Sequence, residues 1–412
     1  MRILFITQWF HPEPSFKTLA FARELIKLGH RVEVLTGLPN YPHGNIYDGY
    51  KVRLLQRENM GGVRVTRVPL YPSHDRSGVR RFLNYTSFAL SATLVGPWVI
   101  SGADVAYVYH PPATIYLPAC VIRLLRRVPI VYDVQDLWPD TLKATGMFNS
   151  KLGLGLMSAW CKFIYKSADK IVVLSPGFKN TLHERGVPPD KIEVVYNWCD
   201  DTVIRPMEPD SDLLLKLGLK NKFTIMFAGN MGRAQALDTI LSAAEIVAGR
   251  CPQVQFVFVG DGIEKGRIRR KAGEMGLKNV SFFPSLPQAE IAAVLSLADV
   301  LLVHLKDDPL FRITIPSKIQ AYLAVGRPIL AGVRGDAAEL VTKARAGAVC
   351  PPEDAYGIAE QVCKLQAMPR ARLNDIGSNG RRFYQKELSL KIATERFQAI
   401  FKSVAKGSSL TE

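Results

Sequence analysis

The chain has 412 residues, 48% apolar and 22% charged, a mix that excludes a disordered or collagen-like polymer and allows two cores of roughly 200 residues each. Its net charge of +16 points to an anionic partner, whether nucleic acid, an anionic membrane face or a phosphorylated substrate, or serves solubility alone. Cys120, Cys161, Cys199, Cys251, Cys350 and Cys363 are scattered with no Cys-x-x-Cys pair, which indicates neither a disulfide framework nor a zinc site and fits a reducing cytosol.

Taken in chain order, Arg2–Ile6 reads as a buried first strand and not a targeting segment, because Gln8, His11 and Glu13 follow at once. A helix is expected from Phe16 to Leu28, stopped at Gly29. Strands follow at Val32–Thr36, Val63–Val68, Val105–Tyr109, Ile130–Val134, Lys170–Leu174 and Ile192–Tyr196. Short β-branched runs alternating with amphipathic stretches are the mark of βαβ units and parallel sheets. Asn197–Pro209, with Asp200, Asp201, Pro206 and Pro209, breaks the pattern as a linker would. A second series then runs through Thr224–Ala228, Gln255–Val259, Val280–Phe283, Val300–Leu305 and Pro328–Ala331. The expectation is two doubly wound α/β domains, 1–200 and 201–387, with an amphipathic terminal helix in 388–405 crossing back onto the first.

Phe82–Ile100 stands apart as nearly uncharged and aromatic-rich, with Arg76, Arg80 and Arg81 just before it. Asn84, Thr86, Ser87, Ser91 and Pro97 argue against a membrane-spanning helix. Two readings stay open: an interfacial helix on anionic lipid, or an ordinary buried helix of the first domain.

In open α/β sheets, ligands sit beyond the carboxyl ends of the strands, so the loops there are the places to look. Gly229-Asn230-Met231-Gly232-Arg233-Ala234-Gln235 leaves the first strand of the second domain; its glycines admit an anion to backbone N–H groups, and Arg233 offers a fork-shaped donor. Thr314-Ile315-Pro316-Ser317-Lys318 opens a helix, leaving the Ser317 and Lys318 N–H groups, the Ser317 hydroxyl and the Lys318 ammonium to form a diphosphate cradle. Val259-Gly260-Asp261-Gly262 lacks the third glycine of a dinucleotide fingerprint at the right spacing, since Gly266 comes one residue late, and reads as a tight turn. Asp136 ends a first-domain strand, where a carboxylate would hold a hydroxyl that must lose its proton. Asp133 points into that strand and Asp140 lies past Pro139. Asp210-x-Asp212 lies in the linker and reads as solvated surface; His11 and His110 are each isolated from other ligand types, so no metal site is indicated.

With these residues in view, nearly the whole chain resembles family 4 of the glycosyltransferases. The likeness is carried by Ala228–Gln235, Val259–Gly262, Ala298-Asp299-Val300 and Pro316-Ser317-Lys318 followed by Gly326-Arg327-Pro328. Pro39-Asn40-Tyr41-Pro42 and Asp136-Leu137-Trp138-Pro139 resemble the branch that includes WbuB-like O-antigen aminosugar transferases. The resemblance implies a GT-B fold of two Rossmann-like domains, with acceptor on the first and a UDP-sugar on the second. It also implies a reaction that needs no metal or other cofactor, usually with retention. From Arg76–Ile100 and the net charge, the expectation is a cytoplasmic enzyme at the inner face of the membrane acting on a lipid-linked saccharide, with no nucleic acid.

On that basis Asp136, Arg233 and Lys318 are the catalytic candidates. Gly229, Asn230, Gly232, Gln235, Ser285, Leu286, Thr314, Pro316 and Ser317 are the donor-binding candidates, and Glu13, Lys17 and His110 the acceptor-side ones. Three features depart from the family. Its pair of glutamates falls on Ile313 and Ala321, a basic residue of the glycine-loop helix falls near Gln235, and Pro12-Glu13-Pro14-Ser15-Phe16-Lys17 replaces the first glycine-rich loop. Lys17, Arg233 and Lys318 together would offset the diphosphate charge. A sugar-nucleotide 2-epimerase of the same fold, or a degenerate nucleotide-sugar-binding scaffold, are the rival readings.

Overall fold

A computed structural model describes residues 1–14, 17, 19–73, 77–144 and 150–408; Ser15, Phe16 and Arg76, named above, lie outside them. The chain divides into two units, Met1–Tyr196 with Ala393–Glu412, and Asn197–Ile392.

The first unit is built on eight strands: β1 (Arg2–Ile6), β2 (Arg31–Gly37), β3 (Gln56–Met60), β4 (Val63–Val68), β5 (Val105–Tyr109), β6 (Ile130–Val134), β7 (Lys170–Val173) and β8 (Ile192–Val194). They lie in the order β3-β4-β2-β1-β5-β6-β7-β8, parallel except for the antiparallel β3–β4 pair. The order reverses at β1, which pairs with β2 on one side and β5 on the other, so the crevice at the carboxyl ends of β1 and β5 is the place this topology prepares for a ligand. Strands β5 and β6 are buried along their whole length, as expected of a parallel sheet covered on both faces.

The helices used below in this unit are α1 (Leu19–Lys27), α2 (Gly78–Val99), α3 (Tyr116–Arg126) and α4 (Lys151–Ser167). Gly29, at φ 83°, ends the turn after α1. The C-terminal helix Leu390–Ser408 brings Phe397 within 5.0 Å of the Phe21 ring and 5.4 Å of the Tyr107 ring, filling the side of the sheet that α1 covers.

The second unit carries β9 (Phe223–Ala228), β10 (Val254–Val259), β11 (Val280–Phe283), β12 (Val300–His304), β13 (Ile329–Gly332) and β14 (Gly347–Cys350). All are parallel, in the order β11-β10-β9-β12-β13-β14. Its switch point lies between β9 and β12, with α5 (Leu237–Arg250) following β9 and α6 (Ser317–Val325) following β12. The result is an α/β architecture of two doubly wound Rossmann-like sheets.

Two strands carry no pattern that the sequence reading used. Gln56-Arg57-Glu58-Asn59-Met60 has no apolar alternation because β3 is an edge strand; it is held by Arg67 of β4, fully buried, whose guanidinium pairs with Glu58 and donates to the Gly37 carbonyl at 3.1 Å. Gly347–Cys350 is a short edge strand of small residues. Asp210 of the Asp210-x-Asp212 pair caps a short helix by accepting the N–H groups of Asp212 and Leu213.

Candidate active site

In the second unit, the loop after β9 is braced by the loop after β10. The Met231 N–H donates to the Asp261 carbonyl at 2.7 Å and the Glu264 N–H to the Met231 carbonyl at 3.0 Å. Gly260, at φ 138°, has no room for a side chain, since a Cβ there would overlap the Gly229 carbonyl. The turn thus serves backbone packing.

Gly229, at φ 124°, makes space of another kind. A Cβ on it would lie 3.0 Å from Cε of Lys318, so the missing side chain is what lets the lysine lie across the end of β9. The Lys318 ammonium sits 3.3 Å from the centre of the Phe227 ring. It is buried with no hydrogen-bond partner among the described residues, and burial drives its pKa from the usual lysine range down to about 7. Lys318 is the second residue of α6, with Pro316 as the preceding cap residue and no side chain capping the turn. The N–H groups of Ser317 and Lys318 have no acceptor among the described residues. A buried, unpaired cation and two unpaired N–H groups at a helix start form a site shaped for an anion with several oxygens. The ring beneath the ammonium adds a cation–π contact but no negative charge.

Gln235 is used differently from the expected donor contact. Its side-chain oxygen accepts the Gly232 N–H at 2.9 Å and so pins the glycine loop. Its carbonyl accepts from His304 Nδ1 at 2.7 Å, while His304 Nε2 accepts the Glu353 N–H at 3.0 Å. Burial lowers the His304 pKa, and the neutral tautomer with the proton on Nδ1 satisfies both bonds. Arg233 is 80% exposed and lies 3.8 Å from Glu264. It lines a concavity of about 420 Å³ with Asp238, Glu264, Arg267, Lys306 and Glu353. Asn230 and Ser317 are exposed and Pro316 half-buried. Thr314 turns back onto the Leu310 carbonyl at 2.7 Å, and Ser285 and Leu286 lie in the loop after β11. The structure therefore joins Gly229 to Lys318 and Gly232 to Gln235, with Arg233 on an open rim. Phe227, His304 and Glu353 complete the arrangement, and sequence reasoning missed all three. Phe227 reads as one more strand residue, and the His304–Glu353 link joins the end of β12 to the turn after β14.

In the first unit, Glu13 and Lys17, two of the acceptor-side candidates, are both buried and bonded within the fold. Glu13 is buried, and its carboxylate accepts the N–H groups of Phe10, Asn40 and Tyr41 at 3.1, 2.8 and 2.9 Å. It ties the loop after β1 to Pro39–Pro42, and burial pushes its pKa up to about 7 against those bonds. Lys17 is fully buried, its ammonium 2.6 Å from Asp133. Asp133 also accepts from Tyr107 Oη and Gln135 Nε2, each at 2.5 Å. The charge of Lys17 is thus met inside the fold by Asp133.

His110 is 1% exposed, edge-on to Trp138 at 5.2 Å. Burial lowers its pKa to about 3, so it stays neutral. Asp136 lies at the carboxyl end of β6 with burial alone pushing its carboxyl pKa up, and it makes no ion pair among the described residues. Near it Trp9, Tyr41 and Tyr85 cluster, with ring centres 4.9 Å apart for Trp9–Tyr41 and 6.3 Å for Trp9–Tyr85. Burial raises the Tyr85 hydroxyl pKa; Arg81 counters this, and Tyr41 and Asp136 add to it. Among the described residues no group of three or more His, Cys, Asp or Glu is placed to hold a metal.

Residues 16–198 match the model of the glycosyl transferase 4-like domain, and residues 222–367 that of the glycosyl transferases group 1. The chain is 28% identical over 311 residues to the probable glycosyltransferase WbjE of Pseudomonas aeruginosa, a match covering 74% of each protein. It is 28% identical over 307 residues to the putative colanic acid biosynthesis glycosyl transferase WcaI of Escherichia coli K12, covering 72% of this chain and 74% of that protein. In fold it is similar to Anabaena HepE in complex with UDP-glucose, with a TM-score of 0.70 over 98% of this chain and 100% of that one at 16% identity. The two sheets and these matches define a glycosyltransferase with the GT-B fold. Both halves match in chain order, the first to the glycosyl transferase 4-like domain and the second to the glycosyl transferases group 1.

Proposed function

We propose that this glycosyltransferase moves an N-acetylated amino sugar from its UDP-sugar to an undecaprenyl-diphosphate-linked saccharide. The reaction retains anomeric configuration, needs no metal, and takes place at the cytoplasmic face of the membrane during surface polysaccharide synthesis. The observation that carries the reading is Lys318, a buried unpaired ammonium beside the two unpaired N–H groups of α6. A diphosphate supplies what each of those groups lacks. The UDP-glucose complex of HepE and the colanic acid role in the name of WcaI support the donor class and the pathway. The Pro39–Pro42 and Asp136–Pro139 motifs support a WbuB-like amino-sugar branch.

In this mechanism the bond between the anomeric carbon and the β-phosphate oxygen breaks as the acceptor oxygen bonds to the same carbon and face. The acceptor proton leaves with the diphosphate. Ser317, Lys318 and the helix start hold the charge that builds on the leaving group, where fixed donors contribute most. Arg233 reaches the same anion from the rim. Asp136 accepts the acceptor hydroxyl as a hydrogen-bond donor, orienting it more than ionising it, on a floor of Trp9 and Tyr41.

The test is UDP release on a panel of UDP-N-acetyl-amino sugars with and without an undecaprenyl-diphosphate-linked sugar. Release that requires the lipid names donor and acceptor class together. Release without it contradicts the transferase assignment, and tight UDP binding with no release on any pair leaves a binding scaffold.

A further inference from the structure

The face of the first unit formed by α2, α3 and α4 has the wrong surface for water. The three helices hold seven Arg and Lys and no Asp or Glu. Helix α2 is apolar on two sides. Asn84, Tyr85, Phe88, Ala89 and Ala92 face the core, while Leu90, Leu94 and Trp98 form an outward row at i, i+4 and i+8, with Trp98 79% exposed. Leu124 on α3 is 81% exposed, and Leu152 and Leu156 on α4 are exposed too. Single exposed apolar side chains are ordinary, but rows of them on adjoining helices are not.

The helices form one surface. Arg126 of α3 donates to the Pro97 carbonyl of α2 at 2.7 Å, beside Trp98. Tyr116 Oη of α3 lies 2.9 Å from Ser167 Oγ of α4, and Arg123 donates to the Ser167 carbonyl at 2.7 Å. A groove of about 810 Å³ runs between α3 and α4, floored by Tyr116 and Cys120 and flanked by Leu124 and Phe163.

We propose that this three-helix face, and not α2 alone, docks on an anionic lipid bilayer, with the apolar rows among the acyl chains and the Arg and Lys side chains on the phosphates. Charge complementarity selects this occupant: apart from Asp169, which pairs with Arg123 in the groove, the charged side chains around the apolar rows are cations and fit anionic headgroups, whereas a second copy of the same face would set like charges together. The proposal rests on the reading that the acceptor is membrane-borne and gives that reading its geometry. The amino end of α2, with Arg81 and Tyr85, adjoins Asp136, so a lipid-held acceptor arrives where its hydroxyl is received. No helix of the described residues is long and apolar enough to cross a membrane.

The experiment is flotation of the whole protein with phosphatidylcholine vesicles, with and without phosphatidylglycerol, alongside light scattering and turnover on a water-soluble acceptor analogue. The expected result is flotation only with the anionic vesicles, weakened by salt, and at least roughly tenfold weaker binding for the combined Leu94→Gln, Trp98→Gln and Leu124→Gln variant. That variant should keep soluble-acceptor turnover, since none of the three side chains belongs to the site. No flotation of the wild type, flotation of the variant equal to wild type, or a wild-type dimer that the variant dissociates would each overturn the proposal. Loss of soluble-acceptor turnover by the wild type, with flotation intact, would instead strike the transferase reading.

Discussion

Each unit draws a lysine inward near the switch point of its sheet, and the two are treated oppositely. Lys17 meets Asp133 at 2.6 Å inside a network that also holds Tyr107 and Gln135. Among the described residues the Lys318 ammonium has no ion-pair or hydrogen-bond partner and faces the ring of Phe227. The first is a closed ion pair whose purpose is served when the chain folds. The second is a cation whose desolvation is uncompensated until an anion arrives. Burial alone therefore does not mark a functional lysine; the missing counter-charge does.

The largest effect should come from opening the closed pair. Lys17→Met leaves Asp133 charged and buried, and should cost about 3–5 kcal/mol of stability in chemical unfolding. Combining it with Asp133→Leu should return much of that loss. If Lys17→Met instead kept its stability and lost donor affinity, the contrast between the two lysines would be broken. Lys318→Met should behave in reverse, lowering kcat by about 10²–10³-fold with the melting temperature of the ligand-free protein unchanged or raised. The sign follows from the lowered pKa of about 7: the folded state binds fewer protons than the unfolded one, so Lys318 lowers stability below that pH, and the penalty fades as pH rises toward the ordinary lysine range.

On the acceptor side, Asp136→Asn keeps an acceptor oxygen while removing the charge. It should lower kcat/KM for acceptor by no more than about 10²-fold, the low end of what losing a general base brings, with donor KM unchanged. A far deeper loss would make Asp136 a base and not an orienting group. Arg233, on the open rim, should matter least of the four. Arg233→Ala is expected to weaken UDP-sugar binding by roughly tenfold, as for a single hydrogen bond to a charged group, measured by calorimetry.

Much of this contrast was legible in the sequence, and the illegible part has a physical cause. Strand β5 is a continuous apolar run and β6 is one broken only by Asp133, and the Pro316-Ser317-Lys318 helix start and the glycine loop announce an anion site by residue type alone. The fate of Lys17 is not written near it, because Asp133 lies 116 residues away and only β6 pairing beside β5 brings the two together. Glu13 likewise stands as an acceptor-side candidate until Asn40 and Tyr41 turn their N–H groups toward it. Gln235 resembles a ligand contact in a family motif, yet the loop itself needs its oxygen at Gly232. In each case a side chain with obvious chemistry is claimed by backbone or by a distant partner, which residue type does not reveal.

The mildest prediction sharpens the comparison most. A diphosphate binds the ammonium form of Lys318, and in the ligand-free protein that form is lost above about pH 7. Below that pH the proton is already in place and UDP-sugar affinity should be flat. Above it, binding must take up a proton, so affinity should fall by about tenfold between pH 6 and pH 8. UDP-sugar is the right probe, because its diphosphate carries no group that titrates in that window. Lys17 is paired and should contribute no such slope, so Lys318→Met should bind weakly and independently of pH. A wild-type affinity that is level from pH 6 to 8 would mean that Lys318 finds its counter-charge within the protein after all, as Lys17 does.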